Sequence, residues 1–218
     1  MGRNEFLAGT PLFTGSSPDE INEMLSCLGA YERRYSQGAR IYCMGETIKM
    51  VGLVLEGSVR IESVDVWGNV NMIGVCNPGD LFGEAYAAAP DEPLLVDVVA
   101  AEDCAVLFMN LAKVVATCPH TCVHHERTSR NLTGIIAKQA LALSRRLCHV
   151  AHKTIRDKVL AYLSDEAERV GSREFDIPFD RQQLADYLRV DRSALSAELS
   201  KMRKAGILET HRSHFVLL

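Results

Sequence analysis

The stretch Phe179-Asp180-Arg181-Gln182-Gln183-Leu184-Ala185-Asp186-Tyr187-Leu188-Arg189-Val190-Asp191-Arg192-Ser193-Ala194-Leu195-Ser196-Ala197-Glu198-Leu199 decides how the end of this chain folds. Its spacing predicts two short helices joined by a tight turn, the layout of a DNA-reading helix-turn-helix. Asp180 can N-cap the first helix, and Gln183 three residues on completes a box-like start. Asp191 can cap the second, which is expected to run to Ala205 before Gly206 ends it in the left-handed conformation. On that second helix Leu195, Leu199 and Met202 fall at i, i+4 and i+7, committing one face to a core. The other side shows Arg192, Ser193, Ser196, Ala197, Ser200, Lys201 and Lys204. Such a face is small, polar and basic, as a helix lying in a major groove should be.

Working outward, the 218 residues are 47% hydrophobic, enough for one large domain or two modest ones. No apolar run approaches the ~20 residues of a membrane span, and the amino terminus lacks the basic region and long apolar core of a secretory signal. A cytoplasmic protein with no membrane partner is expected. Seven cysteines, an odd number without an export signal, argue for reduced thiols rather than a disulfide framework. The net charge of -4 divides unevenly. From Arg145 onward 14 Lys and Arg face 11 Asp and Glu, a balance of +3; the preceding residues hold 10 against 17, or -7. The positive charge travels with the expected reading head, where phosphate contact favours it.

Three parts follow, of overall α+β class: a β domain over 1–121, a long helix over 122–151 and a DNA-binding domain over 152–218. From about Tyr31 to Asn110, short apolar runs (Met50–Leu55, Ser58–Val64, Val70–Val75, Leu94–Ala100, Cys104–Asn110) alternate with glycine punctuation. Gly57, Gly68 and Gly79 stand 11 residues apart, the hairpin rhythm of a small all-β sandwich or barrel. Ahead of it, Pro18 to Leu28 reads as a short amphipathic helix introduced by Ser16-Ser17. After it, Val123 to about Ala151 reads as one long helix without internal proline. Leu132, Ile136, Gln139, Leu143, Leu147 and Val150 recur along it at three- to four-residue steps. That seam suits either packing on the helix's own β domain or pairing with a second copy. Two-fold pairing is favoured, because half-sites on DNA are usually read by two-fold protein dimers.

This order of parts resembles the CRP/FNR family of bacterial transcriptional regulators. Gly38 with Gly45, then Leu55-Glu56-Gly57-Ser58-Val59, resemble the opening of its β-roll. Pro78-Gly79-Asp80-Leu81-Phe82-Gly83-Glu84 resembles its PGDxFGE turn, and Asp191 through Leu208 resembles its recognition helix and the stop that follows. The resemblance covers residues ~12–218 and is carried more by the joint order than by any one motif. It implies a jelly-roll β-roll of cyclic-nucleotide-binding type, a long dimerisation helix and a winged helix-turn-helix, with Thr210 to Leu218 forming a two-stranded wing tipped by Arg212-Ser213. It also implies double-stranded DNA as partner, a homodimer, a small-molecule effector of unknown identity, and RNA polymerase as a candidate further partner.

The effector pocket implied by the resemblance comprises Gly83, Glu84, Leu94 and Leu95. Cyclic-nucleotide-binding members place the Gly-Glu pair on the ribose and an Arg-Ser pair on the cyclic phosphate; here Leu94-Leu95 stand where Arg-Ser is expected. Burying that anion without a cation would cost several kcal/mol, roughly. An effector other than cAMP is therefore expected, with Gly83 and Glu84 more simply read as shaping a turn; Asp97 makes the segment still less welcoming to an anion.

Cys118-Pro119-His120-Thr121-Cys122-Val123-His124-His125 groups ligand-type residues, with Cys118, Cys122 and His125 the candidates for zinc, haem or an iron–sulfur cluster. There is no C-x-x-C pair, and the four-cysteine amino-terminal pattern of oxygen-sensing members is absent. Cys122, His125, Asn131 and Leu132 also resemble a stretch opening the long helix in Gram-positive relatives, so a structural role, thiol redox sensing and metal or haem binding all stay open. Cys76 and Cys104 read as small core residues. A catalytic cupin barrel would need histidines, and the first, His120, lies beyond the last expected strand, Cys104–Asn110. With no phosphate loop, G-x-S-x-G elbow or H-E-x-x-H pair either, no enzyme is expected.

For the reading head, the resemblance assigns base contacts to Arg192, Ser193 and either Ser196 or Ala197. Arginine bidentate to guanine is worth ~1–3 kcal/mol of discrimination. Arg181, Gln182, Ser200, Lys201, Lys204 and Arg212 fit phosphate contacts, which position without specifying. Ser193 and Ala197 replace the Glu and Arg of cAMP-responsive members, so a different half-site is expected. An effector in the β-roll, or near Cys118–His125, would shift the pivot around His149–Asp157.

Overall fold

The computed structural model describes residues 2–65, 67–68, 70–89, 91–115 and 123–218, with the side chains of 115 and 123–125 excepted. They form two compact units, 1–137 and 138–218, with the division inside the long helix.

The first unit opens with helices α1 (Arg3–Ala8) and α2 (Pro18–Cys27). Strands β1 (Tyr31–Tyr35), β2 (Arg40–Tyr42), β3 (Met50–Glu56), β4 (Val59–Val64), β5 (Val70–Cys76) and β6 (Leu81–Phe82) follow. Helix α3 (Glu84–Ala88), strands β7 (Asp97–Ala100) and β8 (Cys104–Asn110), and helix α4 (Leu111–Val115) complete the roll. Two antiparallel sheets result, ordered β1-β8-β3-β6 and β2-β7-β4-β5. The run Cys104-Ala-Val-Leu-Phe-Met109 is apolar at every position because β8 is covered on both faces. Cys104, Val106 and Phe108 enter the core between the sheets, while Leu107 and Met109 enter the core beneath the helices with Leu7, Phe13, Ile21 and Leu28. Buried in this way, the Cys76 thiol is pushed up to about 12 and that of Cys104 is raised as well, so both behave as small apolar groups.

The 11-residue glycine rhythm marks turns. Gly57, Gly68 and Gly79 all have positive φ, at 69°, 84° and 95°. At Gly57 a Cβ would also lie 2.4 Å from the Asp103 carbonyl oxygen, so the β3–β4 turn admits no side chain. The expected strand Leu94–Ala100 is shorter, starting at Asp97. Leu94 instead exchanges backbone hydrogen bonds with Glu46 and Gly45, outside the ladder. Helices α1, α3 and α4 and strands β1, β2 and β6 lie outside the named runs and were not expected individually.

Helix α5 (Val123–Val150) has the extent anticipated. Leu132 is buried and Ile135 and Ile136 pack against the first unit's helix-side core. The Asn131 side-chain amide donates to the carbonyls of Leu12 and Thr14, 3.0 Å each, so Asn131 and Leu132 have structural roles at the start of the helix. Further along, Gln139 is exposed, and Leu143 and Leu147 are 69% and 66% exposed. The apolar seam thus serves the β domain over its first part and is left uncovered over its second.

The second unit continues with α6 (Ile155–Val170), β9 (Glu174–Asp176), α7 (Arg181–Leu188), α8 (Arg192–Lys204), β10 (Leu208–His211) and β11 (His214–Leu217). The strands form an antiparallel sheet ordered β10-β11-β9. Its inward side chains Leu208, Phe215 and Phe175 join Val159, Leu163, Leu184, Leu188, Leu195, Leu199 and Met202 in one core. Strand β9 and the full extent of α6 were not expected.

Candidate nucleic-acid interface and effector pocket

Local chemistry places α7 and α8. Asp180 accepts the Gln183 backbone N–H at 2.8 Å while the Gln183 side chain accepts the Asp180 N–H at 2.8 Å, the reciprocal box expected. Asp191 accepts the Ala194 N–H at 2.9 Å and the Ser193 hydroxyl; these two donors hold its carboxyl below the usual range. Between the helices Arg189 adopts φ 51°, ψ 57°, and the Val190 N–H reaches back to the Ala185 carbonyl, closing a Schellman-type stop. A left-handed non-glycine residue costs roughly 1–2 kcal/mol, so this turn is held by the packing on either side. Helix α8 ends at Lys204 with Ala205 as C-cap, and Gly206 follows at φ 68°.

Leu195, Leu199 and Met202 are buried, and Arg192, Ser193, Ser196, Ala197, Ser200, Lys201 and Lys204 are all exposed, the division expected of this helix. One acidic residue lies on it among them. Glu198 is paired with Arg156 of α6 at 2.8 Å and with Lys201 at 3.5 Å, and the Arg156 hydrogen bond keeps its carboxyl below the usual range. This pair ties the middle of α8 to the start of α6 and neutralises a charge that phosphates would otherwise repel. Sequence periodicity could not show it, because the partner lies 42 residues away.

The wing is present as expected. β10 and β11 pair from Leu208↔Leu217 to His211↔His214, leaving Arg212-Ser213 as a two-residue tip with Arg212 at φ 55°. Arg181 donates to the Arg212 carbonyl at 3.1 Å and lies 5.7 Å from the Phe215 ring centroid; burial pushes its guanidinium below the ordinary arginine range, though it stays charged at neutral pH. It therefore braces the wing with part of its donor set. The Gln182 amide donates to Asp186 at 2.9 Å on the same helix.

The four residues of the expected effector pocket are distributed differently. Gly83 is left-handed (φ 77°) and opens α3, and a Cβ there would meet Ile48 Cδ1 at 2.9 Å. Glu84 is buried. Leu94, 1% exposed, belongs to the helix-side core, whereas Leu95, 70% exposed, faces water. Residues 84–97 contain Glu84, Asp91, Glu92 and Asp97 and no basic residue. Buried Asp97 accepts the Met44 N–H at 2.7 Å, and Arg40 already faces its carboxylate at 3.8 Å. These residues do not fit a cyclic phosphate. Cys118, Cys122 and the side chain of His125 lie outside the described residues. Among the described residues no group of three or more His, Cys, Asp or Glu is placed to hold a metal ion, and Cys27, Cys43, Cys76, Cys104 and Cys148 are free thiols.

Residues 32–119 match the model of the cyclic nucleotide-binding domain, and residues 157–218 match that of the Crp-like helix-turn-helix domain. The chain belongs to the CRP/FNR family. Like other CRP/FNR members it is a DNA-binding transcription regulator and not an enzyme. It is 35% identical to the cyclic AMP receptor protein of Thermus thermophilus over 79 residues, 36% of this chain and 35% of that protein. It is 22% identical to the transcriptional activator protein FnrL of Cereibacter sphaeroides over 200 residues, 86% of this chain and 76% of that one. The solved structure of the c-di-GMP-responsive global regulator CLP of Xanthomonas campestris shares the fold with a TM-score of 0.56 at 18% identity, covering 91% of this chain and 98% of that one. Among the described residues no helix is long and apolar enough to cross a membrane.

Proposed function

We propose that this CRP/FNR regulator acts in the cytoplasm as a homodimer whose two α8 helices read successive major grooves. The observation that carries the reading is the division of α8, with Leu195, Leu199 and Met202 in the core and a small, basic face in solvent. Arg192, Ser193, Ser196 and Ala197 contact base edges. Arg181, Gln182, Ser200, Lys201, Lys204 and Arg212 contact phosphates. The uncovered part of α5, with Leu141, Leu143 and Leu147 in solvent, supports pairing with a second copy. The functional boundaries 1–121, 122–151 and 152–218 follow, with RNA polymerase the further partner when the bound protein activates.

The effector acts on the first unit and is not cAMP, because the segment 84–97 offers a phosphate four carboxylates and no cation. Arg192→Ala tests the readout. Binding to the preferred duplex, followed by fluorescence anisotropy, should weaken by ~1–3 kcal/mol with discrimination lost at one base position. Unchanged affinity and sequence preference would remove Arg192 from direct readout.

A further inference from the structure

The last turns of α5 carry two side chains that the DNA-reading face does not use. Arg146 donates from Nε to the Tyr187 carbonyl and from Nη2 to the Asp186 carbonyl, 3.1 Å each, and its guanidinium carbon lies 5.2 Å from the Tyr187 ring centroid. Lys158 of α6 adds a third donor, to the Leu188 carbonyl at 3.3 Å. These are the last carbonyls of α7, where the helix dipole concentrates negative charge and a cation is favoured. His149, 5% exposed, places Nδ1 3.0 Å from the Tyr187 hydroxyl and Nε2 3.6 Å from Asp165 of α6. Its ring meets Tyr162 edge-on at 5.6 Å, and Tyr162, Phe179 and Tyr187 pack together with centroids 5.0–5.9 Å apart. Helix α5 thus grips the end of α7 through two carbonyls, one ring face and one hydroxyl, immediately before the turn into α8.

We propose that Arg146 and His149 are positioning residues for DNA binding, a latch that makes the α7–α8 pair follow α5 and that loosens when His149 takes up a proton. The proposal rests on the reading of α8 as the DNA-reading helix. The partners select the neutral tautomer: the Tyr187 hydroxyl donates to Nδ1, and Nε2–H turns toward Asp165.

Burial holds His149 below the ordinary imidazole range. Asp165 and Glu166 of α6 pull it upward, while His152 and Arg145 push it down. The phenols of Tyr162 and Tyr187 facing it are both raised and stay neutral. A folded-state pKa below that of the free ring means the latch holds fully above pH ~6.5 and weakens as pH falls.

The test uses the full chain and a duplex selected from a random pool, with affinity read by anisotropy between pH 7.5 and 5.5. His149→Phe keeps the aromatic packing and removes the titration. Relative to that variant, the wild type should lose up to about tenfold in affinity by pH 5.5, the factor by which protons fill a free imidazole one unit below its pKa. Asp165→Asn should move this loss to lower pH and Tyr187→Phe to higher pH, shifts of opposite sign that a purely structural role would not produce. Parallel pH profiles for wild type and His149→Phe overturn the latch while leaving DNA reading intact. If circular dichroism shows that His149→Phe does not fold, unshifted profiles in the other two variants overturn it instead. A wild type with no preference for the selected duplex over a scrambled one at either pH overturns both.

Discussion

Arg189 sits at the join of the two helices with φ 51°, where a β-carbon crowds the following carbonyl. The neighbouring bonds leave it little choice. Val190 must return its N–H to Ala185, and Asp191 must arrive extended to cap α8. Arg189→Gly should therefore stabilise the fold, by ~0.5–1 kcal/mol after the added freedom of the unfolded glycine is subtracted. Thermal unfolding followed by circular dichroism checks this, and a lowered midpoint would mean that the arginine makes a stabilising contact outweighing its backbone strain. At this scale much was legible in the sequence. The caps Asp180, Gln183 and Asp191 act across three residues, so their chemistry is printed in the local order. Leu94 was legible only in part: its type excluded a phosphate contact, but its place in the core was decided by backbone bonds to Gly45 and Glu46, nearly 50 residues away.

Elements were legible in proportion to their length. Helix α5, at 28 residues, carries several repeats of its apolar step, and α8 carries enough to orient both faces. Strands of two or three residues such as β6 and β9 contain no period at all, and exist because β3 and β11 offer them hydrogen-bonding edges. The seam of α5 shows a second limit. Periodicity marks which side is apolar, whereas what covers it depends on where the β-roll ends. Leu132 is covered within the chain; Leu143 and Leu147 are not. The double substitution Leu143→Glu, Leu147→Glu should consequently shift the protein toward monomer at micromolar concentration in sedimentation equilibrium, with the melting transition of the first unit preserved. A dimer that survives both charges would move the pairing surface away from this helix.

Over the whole molecule, charge and chemistry are partitioned between the units. Residues from Arg145 onward carry +3 and those before it -7, so the end that meets phosphate is the basic one even though the chain is acidic overall. The same partition appears in the site. Helix α8 keeps its only carboxylate paired with Arg156, while the segment 84–97 gathers four carboxylates and no cation. A CRP/FNR regulator built this way sets its DNA-reading end apart in charge from its effector domain, in line with the proposal that its effector is not cAMP. In the proposed function, two copies of α8 read a two-fold site. Selection of bound duplexes from a random pool by the purified protein, with and without reducing agent, iron or haem, separates paired from single half-site reading. Paired reading should enrich an inverted repeat whose half-sites lie about one helical turn, ~10 bp, apart. Enrichment of a single asymmetric half-site, or of no sequence at all, would contradict it.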